Sequence, residues 1–132
     1  MNPKGLQAVE ILLVEDSATD VLLAKEALGS SKIVNNLQTV SDGVEAMGFL
    51  RREGKHKDAP RPCLILLDLN LPKKDGREFL AEIKNDEKLK HIPVVVLTTS
   101  KNEVDILKAY SLHANCYIVK PVDFEKFAEH TA

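Results

Sequence analysis

The sequence contains no tryptophan and only two tyrosines and four phenylalanines, so it is poor in residues that could stack on a flavin. Cysteine is nearly absent too. Neither Cys63 nor Cys116 has a second cysteine or a histidine at metal-finger spacing, and the four histidines are scattered. That excludes a zinc scaffold or a disulfide framework, and both thiols are expected to be reduced, partly buried packing residues. Charge of neither sign prevails: 18 Lys+Arg against 20 Asp+Glu leave a formal charge of -2, whereas a dedicated nucleic-acid binder shows a basic excess. No uninterrupted apolar run approaches the ~18 residues of a membrane helix. Met1 to Gly5 leads into a short apolar stretch that Glu15 and Asp16 end, which is no secretory signal, so a cytoplasmic location is expected, with no nucleic acid and no membrane among the partners.

What is present is alternation. The 132 residues suit one domain with one core. Val9–Val14 is a strand candidate, nearly all apolar, as expected where both faces of a sheet are covered. Asp16 and Ser17 supply cap-type residues for a helix carrying Val21, Ala24 and Leu28 and stopped by Gly29. Asn36–Val40 is a more polar strand suited to a place near the sheet edge, and after Asp42-Gly43 a helix is marked by Val44, Met47 and Leu50. Arg51–Pro62 reads as a long solvated loop rather than a domain boundary or a nucleic-acid patch. Further strands are expected at Cys63–Leu67, Pro93–Leu97 and Cys116–Val119. Helices are expected after Asp75-Gly76 with Phe79, Leu80 and Ile83 inward, at about Asn102–Leu112, and from Asp123 to about His130. Five strand–helix alternations without an internal repeat predict an α/β domain with a parallel sheet, helices on both faces and right-handed crossovers.

In such a sheet ligands bind beyond the carboxyl ends of the strands. The residues there are Glu15-Asp16, Asp68, Thr98-Thr99 and Lys120-Pro121. Taken singly each has a plain reading: a helix cap, a turn residue, strand-end hydroxyls, a surface lysine. Together they place three carboxylates, a hydroxyl and an ammonium at one edge. Two carboxylates ~4 Å apart repel by about 4 kcal/mol at an effective dielectric near 20. Three must raise a pKa, spread apart or hold a cation, and a few hard oxygens beside a phosphoryl group suit Mg²⁺. Asp68 could then serve as a nucleophile, with Thr98 donating to one phosphoryl oxygen and Lys120 pairing with another.

Four motifs in this order resemble the receiver domain of two-component response regulators: Ile11–Asp16, Leu66–Pro72 with Asp75-Gly76, Val96–Thr99, and Tyr117–Pro121. The resemblance covers about residues 9 to 130 and implies a flavodoxin-like (βα)5 fold, a doubly wound parallel five-stranded sheet in the order 2-1-3-4-5, with residues 1–132 forming a single receiver domain. It implies that Asp68 is the phosphoacceptor, that Glu15, Asp16 and Asp68 hold Mg²⁺ together with the backbone carbonyl of Asn70, that Thr98 and Lys120 receive the phosphoryl oxygens, and that Thr98 and Tyr117 form the switch pair. Phosphorylation by a sensor histidine kinase would then bias a two-state equilibrium and reshape the protein's contacts. Such a domain is a signalling switch rather than an enzyme with a separate substrate, limited to self-catalysed phosphotransfer and slow autodephosphorylation. The Arg51–Pro62 loop and Thr98-Thr99-Ser100 are similar to small stand-alone regulators paired with bacterial phytochromes. The implied partners are therefore such a kinase, a downstream protein target or phosphotransfer protein, and a second copy of the chain. Thr99 is bulkier than the alanine or glycine usual after the switch residue, and the last helix is short for the family.

Two other readings use parts of the same pattern. A haloacid-dehalogenase-like phosphohydrolase also uses a nucleophilic aspartate, Mg²⁺, a hydroxyl and a lysine, but needs a general acid two residues past the nucleophile, where Asn70 stands. A flavodoxin-like FMN carrier shares the fold, but its phosphate would meet Glu15-Asp16 instead of a hydroxyl- and glycine-rich loop.

Overall fold

A computed structural model describes residues 8–30, 34–69, 71, 75–98 and 116–119. Five strands, β1 (Val9–Val14), β2 (Asn35–Val40), β3 (Leu64–Asp68), β4 (Val94–Thr98) and β5 (Cys116–Val119), form one sheet in the order β2-β1-β3-β4-β5, every neighbouring pair parallel. Three helices are described: α1 (Ala18–Gly29), α2 (Gly43–Arg51) and α3 (Gly76–Lys84). The expected order 2-1-3-4-5 is thus the observed one. The helices expected at 102–112 and 123–130 lie outside the described residues. No helix among the described residues is long and apolar enough to cross a membrane.

Each helix begins where a short polar side chain can satisfy its first free N–H groups. Ser17 Oγ accepts from the Asp20 N–H, Asp42 from the Glu45 N–H at 2.7 Å, and Asp75 from the Arg77 N–H at 2.8 Å. Because side chains alternate along a strand, the apolar runs feed two cores. Leu12, Val14, Ile65, Leu67, Val94 and Val96 pack on the face covered by α2 and α3, together with Met47, Phe79 and Leu80. Ile11, Leu13, Leu66, Val95 and Leu97 face the other way, toward Ala24 and Leu28 of α1. The polar strand β2 lies at the sheet edge, as its composition predicts.

The helix marked by Val44, Met47 and Leu50 is α2, in which Val44 is 55 % exposed because the buried stripe runs through Gly43, Ala46, Met47 and Leu50. One local expectation is corrected. Cys63 is exposed rather than partly buried, because β3 and its covering layer begin one residue later. The Arg51–Pro62 stretch is also more structured than a solvated loop. It holds a 3₁₀ turn at Gly54–His56, and the His56 ring packs on Phe49 with centroids 5.3 Å apart. Arg52, in the left-handed conformation (φ 56°, ψ 47°), ends α2 and donates from Nε to the Ala59 carbonyl at 3.0 Å.

Candidate metal and phosphoacceptor centre

Register brings the acids to one level. Val14 of β1 pairs with Leu67 of β3, so the next residues, Glu15 and Asp68, leave the sheet side by side. The Glu15 N–H donates to the Val40 carbonyl at 3.0 Å, extending the β1–β2 ladder by one bond. Asp16 follows just before the Ser17 cap. One carboxylate oxygen from each of Glu15, Asp16 and Asp68 lies within 4.8 Å of the other two. Glu15 and Asp68 are buried, 3 % and 6 % exposed, while Asp16 is open to solvent. Part of this charge is met locally, since Glu15 Oε1 accepts from the Ser17 N–H at 3.2 Å.

The donor set fits a hard divalent cation. Three carboxylates offer oxygen only, with no sulfur or imidazole among them, and one exposed member leaves room for water and an incoming phosphoryl group. Two buried carboxylates at this spacing are otherwise costly.

Asp68 is positioned from behind by α3. The Gly76 N–H donates to the Leu69 carbonyl at 3.0 Å, and the Leu69 N–H donates to Leu97 of β4 at 3.3 Å. The first turn of α3 sits so close that a β-carbon on Gly76 would come within 2.7 Å of the Asp68 carbonyl oxygen and of Leu69 Cα. Only glycine fits this approach. The sequence marks Asp75-Gly76 as a helix start, but nothing in local periodicity identifies the close contact with the strand end.

The remaining expected site residues divide by location. Thr98 ends β4, one residue beyond Leu97, which pairs with Asp68, and stands opposite Val119 of β5. Tyr117 lies within β5 opposite Val96. Asn70 and Lys120 lie outside the described residues. A feature the sequence reading missed is a cavity of about 410 Å³ beside Glu15 and Asp16, bordered by Leu22 and Lys25 of α1 and by Thr39 and Ser41 at the end of β2. Its walls come from segments distant in sequence, so no local signal marks it.

A 2-1-3-4-5 parallel sheet with an acid cluster at the carboxyl ends of β1 and β3 is the arrangement expected of a receiver domain, and the match at family level agrees. The family model for the response regulator receiver domain matches residues 11–132, and the chain belongs to that family. It is 59% identical over 110 residues to the response regulator Rcp1 of Synechocystis sp., covering 83% of this chain and 75% of Rcp1. Among solved structures it resembles the phosphorylated cyanobacterial phytochrome response regulator RcpA, with a TM-score of 0.82, 55% identity, and coverage of 94% of this chain and 89% of that one. It also resembles the Mn²⁺-bound form of Rcp1, with a TM-score of 0.79, 54% identity, and coverage of 92% and 87%. The chain is therefore a two-component signalling domain related to phytochrome response regulators, and neither the phosphohydrolase nor the flavin-carrier reading is favoured. The acid cluster and the Mn²⁺-bound relative together support divalent-metal binding.

Proposed function

We propose that this chain is a phosphorylation-activated switch, residues 1–132 acting as one receiver domain in which Asp68 accepts a phosphoryl group from the phosphohistidine of a sensor kinase. The observation that carries this reading is the convergence of Glu15, Asp16 and Asp68 within 4.8 Å at the ends of β1 and β3. An Asp68 carboxylate oxygen attacks phosphorus, the P–O bond forms as the P–N bond breaks, and the phosphohistidine ring, already protonated on its other nitrogen, takes the P–N electron pair and leaves as neutral imidazole. Glu15, Asp16 and Asp68, with the backbone carbonyl of Asn70, are the residues that would hold Mg²⁺. When bound, the ion offsets the carboxylate charge that would repel the phosphoryl oxygens. The Thr98 hydroxyl donates to one phosphoryl oxygen and Lys120 pairs with another, while Tyr117 and Thr98 relay the new charge as a change of surface. No separate substrate is turned over. The phosphoryl group leaves by self-catalysed hydrolysis, output passes through protein contacts in the cytoplasm, and the relationship to RcpA supports a bacterial phytochrome as the kinase.

The test is labelling by acetyl phosphate in Mg²⁺. Wild type forms an acid-labile phosphoprotein and Asp68→Asn forms none, whereas retained labelling in Asp68→Asn refutes the assignment. Asp16→Asn, at an exposed position, is expected to weaken the Mg²⁺ dependence of labelling while leaving Tm near that of wild type.

A further inference from the structure

The basic stretch that the acid edge leaves unused is gathered by the fold around a second cavity. The helices run back antiparallel to the strands, so the C-terminal ends of α2 and α3 lie at the edge of the sheet opposite Glu15 and Asp68. Between them is a cavity of about 520 Å³, walled by Arg51 and Arg52 at the end of α2, Arg61 ahead of β3, and Asp86, Glu87 and Lys88 in the turn after α3. Its two carboxylates are already engaged. Asp86 takes Arg51 Nη2 at 3.5 Å, while Arg51 Nη1 reaches Glu82 at 3.1 Å, and Glu87 takes Lys90 Nζ at 3.0 Å. Those bonds fix Arg51 as a wall.

The other cations are less engaged. Among the described residues the Arg52 side chain donates only from Nε, to Ala59, and no hydrogen bond or ion pair reaches the Arg61 guanidinium or the Lys88 ammonium. Two arginines and a lysine lining one cavity can receive carboxylates, since the arginine fork matches carboxylate geometry. At about 520 Å³ the cavity is larger than a single bare anion would fill. A nucleic acid is the poorer fit. It needs a track of cations along a groove, whereas this is a single cavity with two carboxylates in its wall, on a chain of net charge -2.

We propose that this cavity is a docking site for a short acidic peptide segment of a partner protein, its carboxylates received by Arg61, Lys88 and the free end of Arg52. Its position away from the acid cluster spares an acidic partner the repulsion it would meet at the opposite edge. Binding here does not depend on the phosphoacceptor reading.

The probe is a fluorescein-labelled peptide of alternating Glu and Leu, followed by anisotropy with the full chain. A saturable rise is expected, absent for the Lys–Leu counterpart and weakened as NaCl is raised. The doubly reversed variant Arg61→Glu/Lys88→Glu should bind at least about tenfold more weakly, a loss of about 1.4 kcal/mol. Equal acetyl-phosphate labelling and Tm of variant and wild type would show that the fold and the acid edge are intact, which separates failure here from failure of the phosphoacceptor assignment. Absence of saturable binding, unchanged affinity in the variant, or stronger competition by inorganic phosphate or a single-stranded oligonucleotide than by unlabelled peptide would each overturn the proposal.

Discussion

Replacing Gly76 by alanine should loosen the acid cluster without touching any carboxylate. The added β-carbon would meet the Asp68 carbonyl oxygen and Leu69 Cα at 2.7 Å and the Leu69 carbonyl oxygen at 2.8 Å, where ordinary contact begins near 3.4 Å. All three atoms are backbone and cannot rotate away. Either α3 retreats from the sheet, stretching the 3.0 Å bond from Gly76 N–H to Leu69, or the end of β3 shifts and takes Asp68 with it. Overpacking of this kind costs about 1–3 kcal/mol and a weakened hydrogen bond about 0.5–1.5 more, while alanine returns at most about 1 kcal/mol of helix propensity. With that return the net loss is about 0.5–3.5 kcal/mol, a fall in Tm of roughly 2–15 °C, which a domain of ordinary stability survives folded. A Mn²⁺ titration read by the EPR signal of the free ion should then show about tenfold weaker binding, equivalent to about 1.4 kcal/mol. Gly48→Ala is the control, because its β-carbon would meet nothing nearer than His56 Cδ2 at 3.9 Å, and it should leave the titration unchanged. If Gly76→Ala matched wild type in both Tm and Mn²⁺ affinity, the argument that this contact positions Asp68 would be refuted.

Glu45 supplies a pH-dependent term. Burial disfavours its charged form, but bonds from Lys55 and the Ser41 N–H and the nearby Lys55 charge outweigh this and hold its pKa below the ordinary 4.5. A lowered carboxyl pKa contributes stability above the unfolded value that is lost as pH falls through the folded one. Wild type should therefore exceed Glu45→Gln by about 0.5–1 kcal/mol in urea melts at neutral pH and by nothing once the pH is well below 4.5; a gap independent of pH would contradict this. At the left-handed Arg52, Arg52→Ala and Arg52→Gly lose the same bond to Ala59, but only glycine is at ease at φ 56°. Arg52→Gly should be the more stable of the two by about 1 kcal/mol, and equal urea midpoints would argue against backbone strain there.

Much of the fold is legible in particular runs of the sequence. Leu12–Val14 and Ile65–Leu67 are apolar at every position because both sheet faces are covered, whereas polar Asn36–Val40 belongs to an edge strand. Ser17, Asp42 and Asp75 announce helix starts because a capping side chain acts within three residues. The exposure of Val44 and Cys63 is not legible in the same way. Their hydrophobic character is local, but their exposure depends on where a helix stripe and a covering layer begin.

The sequence by itself thus determined the class of fold, the order of its elements and which acids stand at strand ends, because these follow from short-range periodicity and from residues adjacent along the chain. Only the tertiary structure decided that Glu15, Asp16 and Asp68 approach within 4.8 Å with two of them buried, since that depends on the register of β1 against β3. It alone showed that the first turn of α3 seats Gly76 on the backbone of Asp68. It alone also gathered Arg51, Arg61 and Lys88 around one cavity from a helix end and two connections at the far end of the sheet. Each of these is a contact between segments that the chain keeps apart and the parallel crossovers bring together.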